Sequence, residues 1–198
     1  TTNPAMSETM VVARAEGPYI YDKQGKRYLE GMAGLWCTAL GYGNEEIIEA
    51  AERQMRELSF SHMFGGKTHS SAIELADKLA ARVQMQDGGV FLGNSGSDAN
   101  DTLLKLIRYH AEASGQPNRI KVIAREQGYH GVTLASAALT AIPTNHAHFQ
   151  LPFEALGVLR TGSANYYRGA NEGESEAEFV ARRAQELEAL ILAEGPET

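Results

Sequence analysis

The stretch that most constrains this chain is Gly88 to Arg108, GGVFLGNSGSDANDTLLKLIR, because its hydrophobic period changes part-way along. A glycine pair leads into Val90-Phe91-Leu92, which reads as a short buried strand, and Gly93-Asn94-Ser95-Gly96-Ser97 interrupts it with small residues. From Asp98 onward Leu103, Leu104, Ile107 and Ala111 fall on one helical face while Lys105 and Arg108 point elsewhere. Strand, small-residue turn, helix is an α/β unit. Such a turn offers unpaired backbone N–H groups at the positive end of a helix, beside the Ser95 and Ser97 hydroxyls, and suits a phosphate dianion. A reading without a ligand stands next to it, with Ser97 as helix N-cap and Gly96 as the tight-turn residue. Neither G-x-G-x-x-G nor the lysine of G-x-x-x-x-G-K-[ST] is present, which disfavours a dinucleotide or a nucleoside triphosphate. Asp98 and Asp101 complement the helix dipole, but they oppose a nearby anion unless their carboxylates turn away from it.

A second strand is expected at Ile120 to Arg125, after the break Gly115-Gln116-Pro117-Asn118. Strand, helix, strand with a long crossover predicts a parallel pair, and ligands on such sheets gather at the carboxyl ends of the strands. Glu126-Gln127-Gly128-Tyr129-His130-Gly131 leaves from such an end. Its bracketing glycines allow an aromatic ring to lie flat on a planar ligand, although on the residues alone Tyr129 reads as a strand-end core aromatic.

NSGSDAND at the start of a helix, with GYHG about thirty residues further on, resembles the class III (omega) aminotransferases. The resemblance runs from the first hairpin to the last helix and covers roughly the N-terminal half of such a subunit. It implies an α/β fold, the pyridoxal-phosphate-dependent transferase fold type I (aspartate-aminotransferase-like). That fold would be present in part, as an N-terminal segment with the hairpin and active-site crossing loop (1–43) and an incomplete large cofactor-binding domain with a parallel or mixed sheet (44–198). The implied cofactor is pyridoxal 5'-phosphate, held by Ser95, Gly96 and Ser97, with Tyr129 stacked on the ring and His130 orienting the loop or tuning the ring. Trp36, in the glycine-rich segment GMAGLWCTALGYG, is implied as a wall of the amine-substrate pocket; Met63 and Phe64 are implied as further wall, in some members that of the neighbouring subunit. Packing anchors are the alternative reading for all three. The implied activity moves an amino group from a primary amine or omega-amino acid to a 2-oxo acid such as pyruvate, in a homodimer. The Schiff-base lysine and the acid facing the pyridine nitrogen are expected after Thr198, because none of Lys23, Lys26, Lys67, Lys78, Lys105 and Lys121 matches the family's position. No catalytic residue is therefore expected in this stretch. An aminomutase or decarboxylase on the same fold, and a non-catalytic cofactor-binding or interaction protein, are the alternatives.

Composition narrows the classes further. A formal net charge of −7 with scattered basic residues argues against nucleic acid as partner. One cysteine, Cys37, excludes an internal disulfide framework, and six histidines without HExxH or a cysteine set give no expected metal site. No apolar run reaches bilayer length and TTNPAMSETM lacks the regions of a signal peptide, so the expectation is a soluble, cytoplasmic chain without a membrane partner. Helices are expected from Asn44, from Ser70 and over Glu176 to Ala193, with a short close-packed one within Val132 to Leu139. Pro143 to Ser175 reads as one long irregular stretch that contains Tyr166-Tyr167-Arg168 as surface anchors.

Overall fold

A computed structural model describes residues 9–83 and 88–198, so most of the leader reading of residues 1–10 lies outside the described residues. The chain divides into two compact units, Thr1–Gly89 and Val90–Thr198.

The first unit begins with three antiparallel strands, β1 (Val12–Glu16), β2 (Tyr19–Asp22) and β3 (Arg27–Leu29), in that order. The expected hairpin is thus one half of a meander. Its turn is closed by Asp22, whose carboxylate accepts from the N–H groups of Gln24 and Lys26 at 2.9 Å each and from the Tyr28 hydroxyl at 2.9 Å. These donors hold the Asp22 carboxyl below its ordinary value, against an opposing desolvation that is the largest single cause. The glycine-rich segment folds back on the meander: Gly17 and Tyr42 exchange both backbone hydrogen bonds at 2.9 Å. Between them lies α1 (Ala33–Trp36), a left-handed turn in which Ala33, Gly34, Leu35 and Trp36 all have positive φ, 49, 61, 59 and 70°. Left-handed backbone costs roughly 1–2 kcal/mol for each residue with a Cβ, so something must hold it. Glu30 does, accepting from the N–H groups of Met32 (2.9 Å) and Gly34 (2.6 Å).

Two helices complete this unit. In α2 (Glu45–Leu58) Asn44 caps the Ile47 N–H, with Glu45 and Glu46 in the first turn. α3 (Ser70–Val83) is joined to it by a Ser71–Gln54 hydrogen bond of 2.7 Å. Ile47, Ile48, Ala51, Met55 and Leu58 make one apolar stripe along α2, yet it is exposed, and Ala72 is the one buried hydrophobic residue of the described part of this unit.

The second unit contains α4 (Gly96–Ala113), β4 (Val122–Arg125), α5 (Leu134–Leu139), a 3-10 turn at Pro143–Asn145, α6 (Phe153–Leu156), β5 (Val158–Thr161), α7 (Tyr166–Gly169) and α8 (Glu176–Glu194). Its core gathers Leu104 and Ala111 from α4, Ala124 from β4, Ala137, Ala138 and Leu139 from α5, and Phe179 from α8. The small residues of α5 let that helix lie close to its neighbours, and a capping box between Thr133 and Ser136 starts it. Ser175 and Glu178 start α8 in the same way.

Two expectations are corrected here. Val90 to Leu92 is not a buried strand: it pairs with no other strand among the described residues, and Phe91 is 66% exposed. An apolar run becomes a strand only where another backbone completes its ladder, and β4 is instead paired in parallel with β5, Val122 opposite Val158 and Arg125 opposite Thr161. The parallel pair thus exists with a different second member, and its crossover passes through α5 and α6. Nor is Pro143 to Ser175 one irregular stretch, since α6, β5 and α7 lie inside it. Gly157, at φ 63°, ends α6 in the left-handed conformation and turns the chain directly into β5.

Candidate cofactor site

The N-terminus of α4 has its first donors partly spent and partly open. Ser95 is the N-cap, its hydroxyl accepting from the Asp98 N–H at 3.1 Å, so the capping role considered for Ser97 belongs two residues earlier. Asp98 reaches back to accept from the Asn94 N–H at 3.0 Å, which directs that carboxylate onto its own turn. Asp101 is spent as well, accepting from the Thr133 hydroxyl at 2.7 Å and the Ser136 N–H at 3.1 Å. Among the described residues, the N–H groups of Gly96 and Ser97 have no partner, and an added Cβ at Gly96 would meet nothing within 4 Å. Two peptide donors at the positive end of an 18-residue helix therefore remain without a partner among the described residues, beside an uncrowded Gly96.

The loop after β4 comes to the same place. Ser97 accepts from the Val132 N–H at 3.1 Å, so one residue belongs to both motifs, and its own hydroxyl proton stays free to donate outward. The loop backbone is fixed nearly throughout: Gly128 N–H donates to Arg125 O (3.1 Å), Gly128 O accepts from Ala141 N–H (2.8 Å), and His130 N–H donates to the Thr140 hydroxyl (2.9 Å). The His130 carbonyl accepts from the Asn100 side-chain amide at 2.6 Å. Gly131, at φ 132°, is obligatory, because a Cβ there would run into the Ser97 and Ser136 hydroxyls. From this fixed frame Tyr129 projects with 57% of its surface exposed. It is not the core tyrosine that its strand-end position also allowed.

Behind the loop, Thr140 is fully buried and its hydroxyl serves both His130 and the carbonyls of Gly131 and Ser136. Arg160, on β5, closes the C-terminus of α5, its guanidinium donating to the carbonyls of Ala138, Leu139 and Thr140. Burial pushes the Arg160 pKa below its ordinary value, opposed by the charge of Glu126. Farther along, Glu174 is gripped by the Arg182 fork at 2.7 Å from both Nε and Nη2 and by the Asn171 N–H at 2.8 Å; these bonds hold its carboxyl down at about 2.

Ser95, Gly96, Ser97, Tyr129 and His130 are thus brought together in the second unit. Trp36, Met63 and Phe64 lie in the first unit, and all three are exposed, Trp36 at 78% and on the strained turn that Glu30 holds. Asn100, Asp101 (read only as a helix-dipole carboxylate that must turn away from an anion), Thr133, Ser136, Thr140 and Arg160 escaped the sequence reading as residues that join the two motifs. Helical spacing carried a signal for the first two, since Ser97, Asn100, Asp101 and Leu104 share one face of α4. Among the described residues no group of His, Cys, Asp and Glu could hold a metal ion, and no helix is long and apolar enough to cross a membrane.

Residues 2–198 match the family model of Aminotransferase class-III. The chain is 45% identical over 192 residues to a probable gamma-aminobutyrate transaminase 2, mitochondrial, from Oryza sativa subsp. indica, covering 96% of this chain and 38% of that protein. It is 44% identical to a gamma-aminobutyrate transaminase 1, mitochondrial, from Solanum lycopersicum, covering 96% and 37% respectively. Among solved structures, the omega transaminase from Pseudomonas jessenii in complex with PMP superposes with a TM-score of 0.92 at 48% identity, over all of this chain and 44% of that one. An omega-aminotransferase from Paracoccus denitrificans gives 0.90 at 39%, again over all of this chain and 44% of its own. The chain therefore spans less than half the length of the relatives it matches, and its fold is part of the pyridoxal-phosphate-dependent, type I transaminase fold. With a family model matched from end to end, the chain belongs to the class III aminotransferases.

Proposed function

We propose that the complete subunit carrying this sequence is an aminotransferase that moves an amino group from a primary amine or omega-amino acid to a 2-oxo acid such as pyruvate, with pyridoxal 5'-phosphate as cofactor. The observation that carries the reading is the hydrogen bond from Val132 N–H to Ser97 Oγ, which joins an open helix N-terminus to an exposed tyrosine on a fixed loop. The residues fit the group. Gly96 N–H, Ser97 N–H and the Ser97 hydroxyl suit a phosphate dianion, the Asp98 and Asp101 carboxylates are spent elsewhere, and Tyr129 offers a ring face for a pyridine. Ser95 serves by capping and keeps a proton to donate. His130 orients the loop, its peptide bonded on both sides. When bound, the cofactor supplies the electron sink and the carbonyl that carries the amino group. This chain's part is to anchor its phosphate, face its ring and keep both in register.

Trp36, Met63 and Phe64 are proposed as substrate-pocket wall, and the subunit as a homodimer in the cytoplasm. The test uses the complete protein: an amine donor without acceptor should convert the visible band of bound cofactor to the near-ultraviolet band of its aminated form, and pyruvate should restore it. Release of carbon dioxide, or isomerisation without net amine transfer, would leave the fold and remove the activity. Size-exclusion chromatography with light scattering, and cell fractionation, decide the dimer and the compartment.

A further inference from the structure

We propose that Asn100 is a positioning residue for the cofactor ring: its side-chain amide, bound to the His130 carbonyl, fixes the direction in which Tyr129 is presented. The inference rests on the cofactor reading above and goes beyond the residues assigned there. A carbonyl oxygen can only accept, so the amide nitrogen of Asn100 must face it, and at 2.6 Å this is a short bond between elements 30 residues apart in sequence. Tyr129 sits between two backbone positions with positive φ, Gln127 at 64° and Gly131 at 132°, the first in a residue with a Cβ. A loop bent this way relaxes unless it is held. Thr140 holds the His130 N–H, Ser97 holds the Val132 N–H, and Asn100 holds the carbonyl between them. Of the three, Asn100 holds the His130–Gly131 peptide, one residue beyond the Tyr129–His130 peptide that Thr140 holds, while neither facing the open helix N-terminus nor being buried in the α5 core. A structural clip for the loop is already supplied by the other two, and what Asn100 adds is the orientation of the His130–Gly131 peptide, through which the chain leaves the exposed Tyr129 and enters the positive-φ turn at Gly131.

The experiment compares Asn100→Asp and Asn100→Ala with wild type in the complete, cofactor-loaded protein. It reads the circular dichroism of the visible cofactor band, which follows ring tilt, and the dissociation constant for pyridoxal phosphate, both as a function of pH. Unfolding of the cofactor-free proteins is followed in parallel. Asn100→Ala should alter the dichroism at every pH and weaken retention about tenfold, the loss of one buried-side hydrogen bond. Asn100→Asp should do the same at high pH, where a carboxylate faces the His130 carbonyl, and should return toward wild type as pH falls, because the protonated acid can donate to that oxygen. Around this bond the titratable groups are Asp98 and Asp101 on α4, Glu126 and His130 on the loop, and Arg160 on β5; α5 has none. All are common to both variants, so the difference between the variants isolates the introduced carboxyl. Wild-type dichroism and retention in both variants would overturn the inference, as would an Asp variant that follows the Ala variant at low pH, or a cofactor-free fold lost in both. A wild-type protein with no cofactor band would sink the cofactor reading itself, and the inference with it, which is a different outcome from variants that match a loaded wild type.

Discussion

Replacing Ser97 by alanine separates a cofactor contact from a loop clip, because the one hydroxyl performs both tasks in different directions. Toward the protein it accepts from the Val132 N–H at 3.1 Å; toward the open side it retains a single proton. The inward loss is a neutral hydrogen bond from the exposed Val132 to a half-buried serine, and water can take over at the Val132 N–H, so the cofactor-free protein should lose about 0.5–1.5 kcal/mol, nearer the lower end. The outward loss is a bond to a dianion, worth about 1.5–3 kcal/mol, or roughly 10- to 150-fold in dissociation constant. Binding should be weakened and not abolished, since the Gly96 and residue-97 N–H groups remain. Titration of the cofactor-free protein by absorbance gives the constant, and pyridoxal, which has no phosphate, provides an internal control that should bind both proteins alike. An unchanged constant for pyridoxal phosphate with lowered stability would show Ser97 to be only a clip, and equal weakening for pyridoxal and its phosphate would place the hydroxyl at the ring instead of the phosphate.

Gly131→Ala should destabilise the protein by about 1–3 kcal/mol through overpacking against the Ser97 and Ser136 hydroxyls, measured by denaturant unfolding, and should cost cofactor retention as well. Acid should release the join between α7 and α8: with Glu174 held at about 2 against an ordinary 4.5, its contribution is complete above about 4.5 and fades as pH falls toward 2. Thermal unfolding against pH should therefore show a smaller acid loss in Glu174→Gln, and equal slopes would contradict the clamp. Residues 1–198 prepared alone should self-associate in sedimentation, because Ile47, Ile48, Met55, Leu58, Phe60 and Phe64 are exposed and the first unit buries little; a monodisperse monomer would count against this.

The site was legible where a motif carries its own mechanism. Small residues before an amphipathic helix, and glycines around Tyr129, marked both halves of the candidate site, although local chemistry left helix capping and a core tyrosine open and the family resemblance was needed to choose between the readings. What joins the halves was not legible, because the Thr133 hydroxyl and the Ser136 N–H both reach back to Asp101, more than thirty positions away, the Thr140 hydroxyl serves the loop from across α5, and single polar residues in a run of alanines leave no periodic trace. The β5 strand was missed for a related reason. Four residues, Val158-Leu159-Arg160-Thr161, give too short a run for alternation, and the arginine inside it reads as loop until its guanidinium is found on the α5 carbonyls. Val90-Phe91-Leu92 failed in the opposite sense, since apolar content was present and a pairing partner was not.

One face of α4 ties these parts together, and its order along the helix matters. Ser97 stands at the open end, Asn100 and Asp101 grip the loop and the start of α5, and Leu104 and Ala111 are buried in the core. The face therefore grades from an open end to loop-holding to apolar over four turns. Because the helix is rigid at this length, the distance between the proposed phosphate donors and Tyr129 is set by side-chain bonds from α4 and not by a flexible connection. On the proposed cofactor reading, tightening or loosening the grip at Asn100 and Asp101 would shift the ring against a fixed phosphate anchor, whereas changes at Leu104 would act on both together through stability. The proposed cofactor geometry and fold stability thus share one helix and can still be varied separately.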